Sequence, residues 1–568
     1  MKNINSAITV ASISTLAATT TLLSVLAMVA CTTVEEDRVS QADANIFQEE
    51  EVHTVAEMSD APQDNFKKFD PNSARPLLAR VMAPSSPQYH QEPNRKNYRH
   101  RDANSFLQVS EKPVSTFSID VDSAAYANAR RYLSSGALPP ADAIRSEEFI
   151  NYFDYQYPAP DNRKAPFSIT TEVAPSPWAM GRHLLHVGLQ GYEIESSQLP
   201  PANLVFLVDV SGSMNYPNKL GLLKNSLKLL SKSLRKNDTV SIVVYAGASG
   251  VVLPATAGND RHAIYRALKQ LQAGGSTNGA AGIELAYQIA RQEFKDDGVN
   301  RVILATDGDF NVGVTNIEAL KDLVKQQRGS GIELTTLGFG TGNYNDALMN
   351  ELAEIGNGNA AYIDTAKEAR KALVEQLSGT LYTIAKDVKI QIEFSPQVAE
   401  YRLIGYESRL LKREDFNNDK VDAGEIGAGH SVTALYEIVL TDSNALTVDP
   451  LRYSNQPQSQ EKGDELAYLK LRYKLPEQTT STLLQQAIKR QQITPLDNSS
   501  ENFRWSAAAA AFAQHLSGNT WLQDFGYAEL LALAQGARGN DRQGYRAEMI
   551  QLVKMAQSLQ VNEHLSAR

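Results

Sequence analysis

Between residues 203 and 385 the chain alternates two kinds of pattern. Short apolar runs rich in Val, Ile, Leu and Thr (NLVFLVDV, DTVSIVVYA, RVILATDG, ELTTLGFG and AAYIDT) are separated by segments of helical period such as KLGLLKNSLKLLSKSL, RHAIYRALKQLQ and GAAGIELAYQIARQEF. A strand that is apolar on both sides must be covered on both faces, which amphipathic helices do. The pattern predicts a doubly wound, mostly parallel α/β sheet. In such sheets ligands gather beyond the carboxyl ends of the strands.

The flanks read differently. VKIQIEFSP, AEYRLIGYE, SVTALYEIVL and LAYLKLRYKL after residue 385 have the spacing of an antiparallel β-sandwich. FSITTEVAPSPW and HLLHVGLQGYE, before residue 200, have the same character. We expect both groups to build one β-domain, with the α/β unit inserted in or beside it. Upstream, STFSIDVD alternates like a strand, Asp122 and Ser123 are placed to cap a helix over AAYANARRYL, and IRSEEFINYFDY predicts a second amphipathic helix. The tail is helical, and the alanine run beside Trp505 is expected to pack on the sandwich.

The first residues belong to no fold. Lys2 is followed by AITVASISTLAATTTLLSVLAMVA, a run without charge that ends in small residues, as a secretory leader does. Its length would also permit an uncleaved anchor. Cys31, the only cysteine, comes next. MVAC resembles a bacterial lipobox, with Met28 where Leu is commonest, which implies cleavage before Cys31 and diacylation of its sulfur. Thr32, rather than Asp, then suggests the outer membrane. Up to about Ser110 the chain has no sustained period and is scattered with Pro62, Pro71, Pro76, Pro84, Pro87 and Pro93, as in a flexible tether. The expected division is 1–30 leader, 31–110 lipidated tether, 111–200 N-terminal segment, 201–385 α/β unit, 386–500 β-rich domain and 501–568 helical segment. A net charge of -10 argues against nucleic-acid binding.

The chemistry converges on one rim. DVSGSMN sets Asp209, Ser211 and Ser213 at the end of the first apolar run, GGSTNGAAG brings Thr277 (or Ser276) to a helix start, and ATDGDFN puts Asp307 past the third run. Two acids and three hydroxyls form a hard, oxygen-only set suited to Mg²⁺, or Mn²⁺ or Ca²⁺ in its place. Asn215, Asp309 and Asn311 lie nearby and read as loop-forming residues or as supports behind the ligands. Taken together, these residues resemble the metal-ion-dependent adhesion site of von Willebrand factor type A domains, across roughly 203–385. The resemblance implies that Ser211, Ser213 and Thr277 contact the ion, that Asp209 and Asp307 act mostly through water, and that an open position takes a partner's carboxylate. FSIDVDSAAYANARRYL, IRSEEFINYFDY, TDGDFNVGV and REDFNNDKVDAGEIGAGH further resemble a bacterial lipoprotein family carrying such a domain. That likeness implies an envelope protein.

DFNNDKVDAGEI starts like a calcium loop with Asp415, Asn417 and Asp419, but Lys420 and Ile426 stand where Gly and Glu are wanted, so a polar hairpin loop competes with a non-standard site. No nucleophile elbow, zinc helix, phosphate loop or dinucleotide fingerprint is present, and the nine histidines are scattered. The sequence therefore points away from an enzyme. It points to an envelope lipoprotein held by Cys31 on a bilayer, binding an acidic side chain of another envelope protein through the cation. The alternative is an assembly scaffold in which the metal only ties loops together.

Overall fold

In the computed structural model, residues 98–160, 165–195, 197–275, 279–308, 317–340, 345–448 and 463–566 are described. The leader, Cys31 and most of the tether lie outside them. The chain begins with strands β1 (Leu107–Gln108) and β2 (Val114–Ser118), helices α1 (Ala124–Ser134) and α2 (Ser146–Ile150), and a hairpin, β3 (Phe167–Pro175) and β4 (Arg182–Gly191). The α/β unit follows: β5 (Ala202–Asp209), α3 (Leu222–Ser233), β6 (Thr239–Tyr245), β7 (Ser249–Ala257), α4 (Arg261–Gln270), α5 (Gly279–Gln292) and β8 (Val299–Thr306). It continues through α6 (Ile317–Gly329), β9 (Ile332–Phe339), α7 (Asp346–Ile355), β10 (Ala360–Ile363), α8 (Ala366–Arg370) and α9 (Leu377–Leu381). These strands form one sheet in the order β10-β9-β8-β5-β6-β7, parallel except for the edge strand β7. As the apolar runs require, β5 is buried along its whole length.

After the unit come β11 (Thr383–Phe394), β12 (Val398–Ile404), β13 (Gly424–Gly427), β14 (Ser431–Leu440), β15 (Glu465–Lys474) and β16 (Thr482–Lys489). Helices α10 (Glu501–Leu516), α11 (Tyr527–Gly536) and α12 (Tyr545–Ser566) close the chain. One antiparallel sheet runs β1-β12-β14-β4-β3; in the other, β11 is flanked by β2, β13 and β15, and β16 lies outside β15. Phe394 of β11 stacks on Tyr401 of β12 with centroids 4.2 Å apart and meets Tyr436 of β14 at 5.5 Å. The two sheets thus face each other across an aromatic core, as a sandwich does.

Strand β4 pairs with β14 from Gln190↔Ser431 to Arg182↔Val439, so strands from both sides of the α/β unit share one sheet. The unit is an insertion. Arg235, just past α3, donates to the Leu199 carbonyl at 2.8 Å on the incoming connection and to the Tyr382 hydroxyl at 3.0 Å on the outgoing one.

Two local expectations fail upstream. Ser123 makes no side-chain cap, and Asp122 instead accepts the Ala360 N–H at 3.0 Å, tying the start of α1 to β10. The second helix stops at Ile150. Asn151 is claimed by β14: its Oδ1 accepts the Thr433 N–H at 2.7 Å, and the buried aromatic residues beyond it lie in a turn, a bend and irregular chain. Buried Arg130 of α1 joins three parts of the molecule, donating to Asp364 (2.8 Å), Glu368 (2.7 Å), the Tyr152 hydroxyl (2.9 Å) and Glu548 of α12 (2.8 Å). Ala507–Ala511 are fully buried in one cluster with Phe149 of α2 and with Ile404 and Leu435 of the sandwich, as expected. Among the described residues no helix is long and apolar enough to cross a membrane.

Glu147 is sealed under Gly405, and its Oε2 has no hydrogen-bond partner among the described residues. Burial, reinforced by the charges of Glu407 and Asp120, pushes its carboxyl up to about 7. A raised acid costs the fold stability as pH rises from the unfolded value towards the folded one. Glu147→Gln removes that cost. The variant should therefore gain on the wild type as pH climbs from about 4.5 to 7, by a few kcal/mol at most, with little further change above. Urea unfolding at several pH values checks this, and a difference independent of pH would contradict it.

Candidate metal centre at the rim of the parallel sheet

Strand β5 delivers Asp209 to the carboxyl end of the sheet with its carboxylate fully buried. One oxygen accepts the Ser211 backbone N–H at 2.8 Å. The other accepts the Tyr245 hydroxyl of β6 at 3.1 Å and the Thr306 hydroxyl of β8 at 3.0 Å. Burial raises the acid's pKa and the charge of Asp307 adds to this, while the Ser211 and Thr306 bonds pull it down. Asp209 thus fastens the ends of three adjacent strands, and both of its oxygens are already engaged.

With that acid claimed behind it, the following loop presents hydroxyls. Ser211 is buried, Ser213 is partly exposed, and their Oγ atoms stand 3.0 Å apart. Two ligands at right angles on an octahedral Mg²⁺, each about 2.1 Å from it, are separated by about 3.0 Å. The pair therefore fits adjacent corners of such an ion. A second loop docks on the first: the Gly274 N–H donates to the Val210 carbonyl at 2.8 Å and the Gly212 N–H to the Gly275 carbonyl at 3.1 Å. Gly275 has φ +85°, a left-handed conformation that glycine adopts freely. Thr277 and its alternative Ser276 lie outside the described residues, as do Asp309 and Asn311. Asn215 is exposed beside the serine loop.

Asp307 follows β8 and is buried. Its Oδ2 accepts from the Nζ of Lys219 at 2.8 Å, and the same ammonium donates to the Ser213 carbonyl at 3.0 Å. Lys219 is not among the residues that the sequence motifs single out. Its signal was there: a lysine at the start of an apolar helical pattern faces the positive end of the helix dipole, so it needs an acid from elsewhere. Tyr245 and Thr306 were missed too, being strand residues with nothing local to mark them.

Among the described residues no three His, Cys, Asp or Glu side chains converge as a metal cage. An ion at this rim would be held by hydroxyls in front, with the acids behind. In the calcium-like loop each of the three candidate side chains is engaged by another group of the protein. Asn417 accepts from Arg472 at 2.8 Å, Asp419 from the Ser481 hydroxyl at 2.5 Å, and Asp415 from the Lys412 N–H at 3.3 Å. It is a polar connection between β12 and β13, which lie in different sheets, and so not the hairpin loop expected from the sequence.

Residues 203–376 match the family profile described as von Willebrand factor type A domain, and residues 92–186 match one described as von Willebrand factor. Residues 379–559 match the profile described as uncharacterized protein YfbK, C-terminal. The chain is 46% identical over 473 residues to the uncharacterized protein YfbK of Escherichia coli (strain K12), covering 82% of this chain and 81% of that protein. It is 26% identical over 255 residues to the human inter-alpha-trypsin inhibitor heavy chain H3, covering 42% of this chain and 28% of that one. A solved von Willebrand factor type A structure from Catenulispora acidiphila is similar at 14% identity and a TM-score of 0.37, covering 68% of this chain and 89% of that one.

Asp209→Ala would leave the Tyr245 and Thr306 hydroxyls and the Ser211 N–H without their acceptor. It should destabilise the chain by roughly 2–4 kcal/mol. Ser213→Ala, which leaves the carbonyl bonded to Lys219 in place, should cost under about 1 kcal/mol. Urea denaturation of the two variants measures both; equal stabilities would contradict the structural role of Asp209.

Proposed function

The chain belongs to the family of the uncharacterized protein YfbK, and from that premise we propose that its von Willebrand factor type A domain captures an acidic side chain of another envelope protein through a divalent cation. The observation that carries this reading is the Ser211–Ser213 hydroxyl pair, 3.0 Å apart at the strand ends and backed by an acid whose oxygens are already engaged. Neutral ligands leave an ion with unspent positive charge, which an incoming Glu or Asp satisfies. Ser211 and Ser213 would hold Mg²⁺ (or Mn²⁺ or Ca²⁺) directly, Thr277 would join them, and Asp209 and Asp307 would act through water. When bound, the ion supplies a positive charge with one position open to a carboxylate. Among the described residues of this arrangement nothing pairs a nucleophile with a base, so we read a binding protein rather than an enzyme.

The same proposal places the protein on the cell envelope, anchored in the outer membrane by acyl chains on Cys31, with the chain between Cys31 and the folded residues that lead into β1 as the tether. Two or more acyl chains are needed for a stable hold, since each buried CH₂ adds about 0.8 kcal/mol. In fractionated cells the wild type should follow the membranes, and Cys31→Ala should appear in the soluble fraction. Retention of that variant on membranes would remove the acyl anchor from the proposal.

Because Asp209 also holds the fold together, Ser213→Ala is the cleaner probe of binding. A bait of the full chain in solubilised envelopes should retain a partner in Mg²⁺ and release it in EDTA. Ser213→Ala should retain little while its circular dichroism is unchanged. Capture that persists in EDTA would favour the assembly-scaffold reading instead.

A further inference from the structure

Lys219 places a fixed positive charge inside a site suited to a positive ion. The placement is built into the fold. The residue is buried, and its ammonium lies 2.8 Å from Asp307 Oδ2, 3.0 Å from the Ser213 carbonyl and 5.4 Å from the Tyr216 ring centroid. Its stem crosses the face of Gly340, where an added Cβ would come within 2.2 Å of Lys219 Cγ. Gly340 has φ +77°, and its carbonyl accepts the Tyr362 hydroxyl, so the end of β9 is shaped to let the lysine pass. A buried ammonium needs such partners to offset its lost hydration.

The ammonium touches the backbone of one candidate ligand residue and the side chain of one candidate water-mediated acid. Two effects follow, and both concern the ion. First, Lys219 ties the loop after β5 to the loop after β8 by bonds that need no ion. Second, it offsets the charge of Asp307, so the rim is less negative than its two acids suggest. At an effective dielectric near 20, a unit charge beside a divalent ion would change its affinity by about tenfold or more.

We propose that Lys219 is a resident counter-cation of the rim: it holds Asp307 to the Ser213 loop in the ion-free protein, and its charge lowers the rim's affinity for a divalent ion. This rests on the cation-binding reading above. The weakened site then favours occupancy together with a negative partner.

The test is titration of the full chain with Mn²⁺, followed by calorimetry and by the Mn²⁺ paramagnetic resonance signal. It compares the wild type with Lys219→Met, Lys219→Gln and, as a check on the site, Ser213→Ala. The two neutral variants should bind Mn²⁺ about tenfold or more tighter than the wild type. In EDTA both should melt at a lower temperature than the wild type, and saturating Mn²⁺ should restore much of that loss. Equal Mn²⁺ affinity in the wild type and both neutral variants, with Ser213→Ala weakened, would overturn the role of Lys219 while the cation site stands. Absence of Mn²⁺ binding from every form would overturn both. Lys219→Gln keeps a donor of smaller reach and no charge, so it decides the matter if Lys219→Met fails to fold: affinity no higher than the wild type in that variant refutes the proposal.

Discussion

A carboxylate sealed at the end of a central strand is tolerable only while donors claim its lone pairs, because an unsatisfied buried charge costs far more than any single packing contact returns. Asp209 meets that condition by taking donors from three places at once: its own loop, β6 and β8. The consequence runs outward. Strand ends that share one acid cannot drift apart, so the loops leaving them start from fixed positions. The Ser211 and Ser213 hydroxyls inherit that precision, and the acid's charge stays behind them. A site with neutral groups in front and charge in reserve follows from one satisfied carboxylate.

The rest of the molecule serves to hold that unit. The sandwich is completed only when β4 and β14 meet, although the whole α/β unit lies between them in the chain. Arg235 binds both connections where they enter and leave. Arg130 does the same job on the far side, gathering α1, the loop after β10 and α12 around one guanidinium. Buried ion pairs of this kind add little net stability but are strongly destabilising to break, so they hold a geometry more than they deepen a well.

The parallel sheet was legible because strands buried on both faces must be apolar throughout, and no local choice contradicts that. The rim residues Asp209, Ser211, Ser213 and Asp307 were legible because each follows such a run. Asp209 ends β5, Ser211 and Ser213 lie in the loop after it, and Asp307 follows β8, while Thr277 falls outside the described residues. What failed to show is what depends on distant partners. The helical period of IRSEEFINYFDY is real in the sequence, yet Asn151 is captured by a strand 282 positions away, and the helix stops. Asp122 looks like a cap and is spent on Ala360. Lys219 finds its acid 88 positions downstream. Periodicity reports a residue's own element; it carries no information about a bond to another one.

The doubly attached insertion has a mechanical side. Tension applied at the rim leaves the α/β unit by two routes, one into β4 and one into β11. Each of those strands is hydrogen-bonded on both flanks, β4 to β3 and β14, β11 to β2 and β15. A pull at the rim is thus divided between two ladders, and neither route peels an edge strand from its sheet.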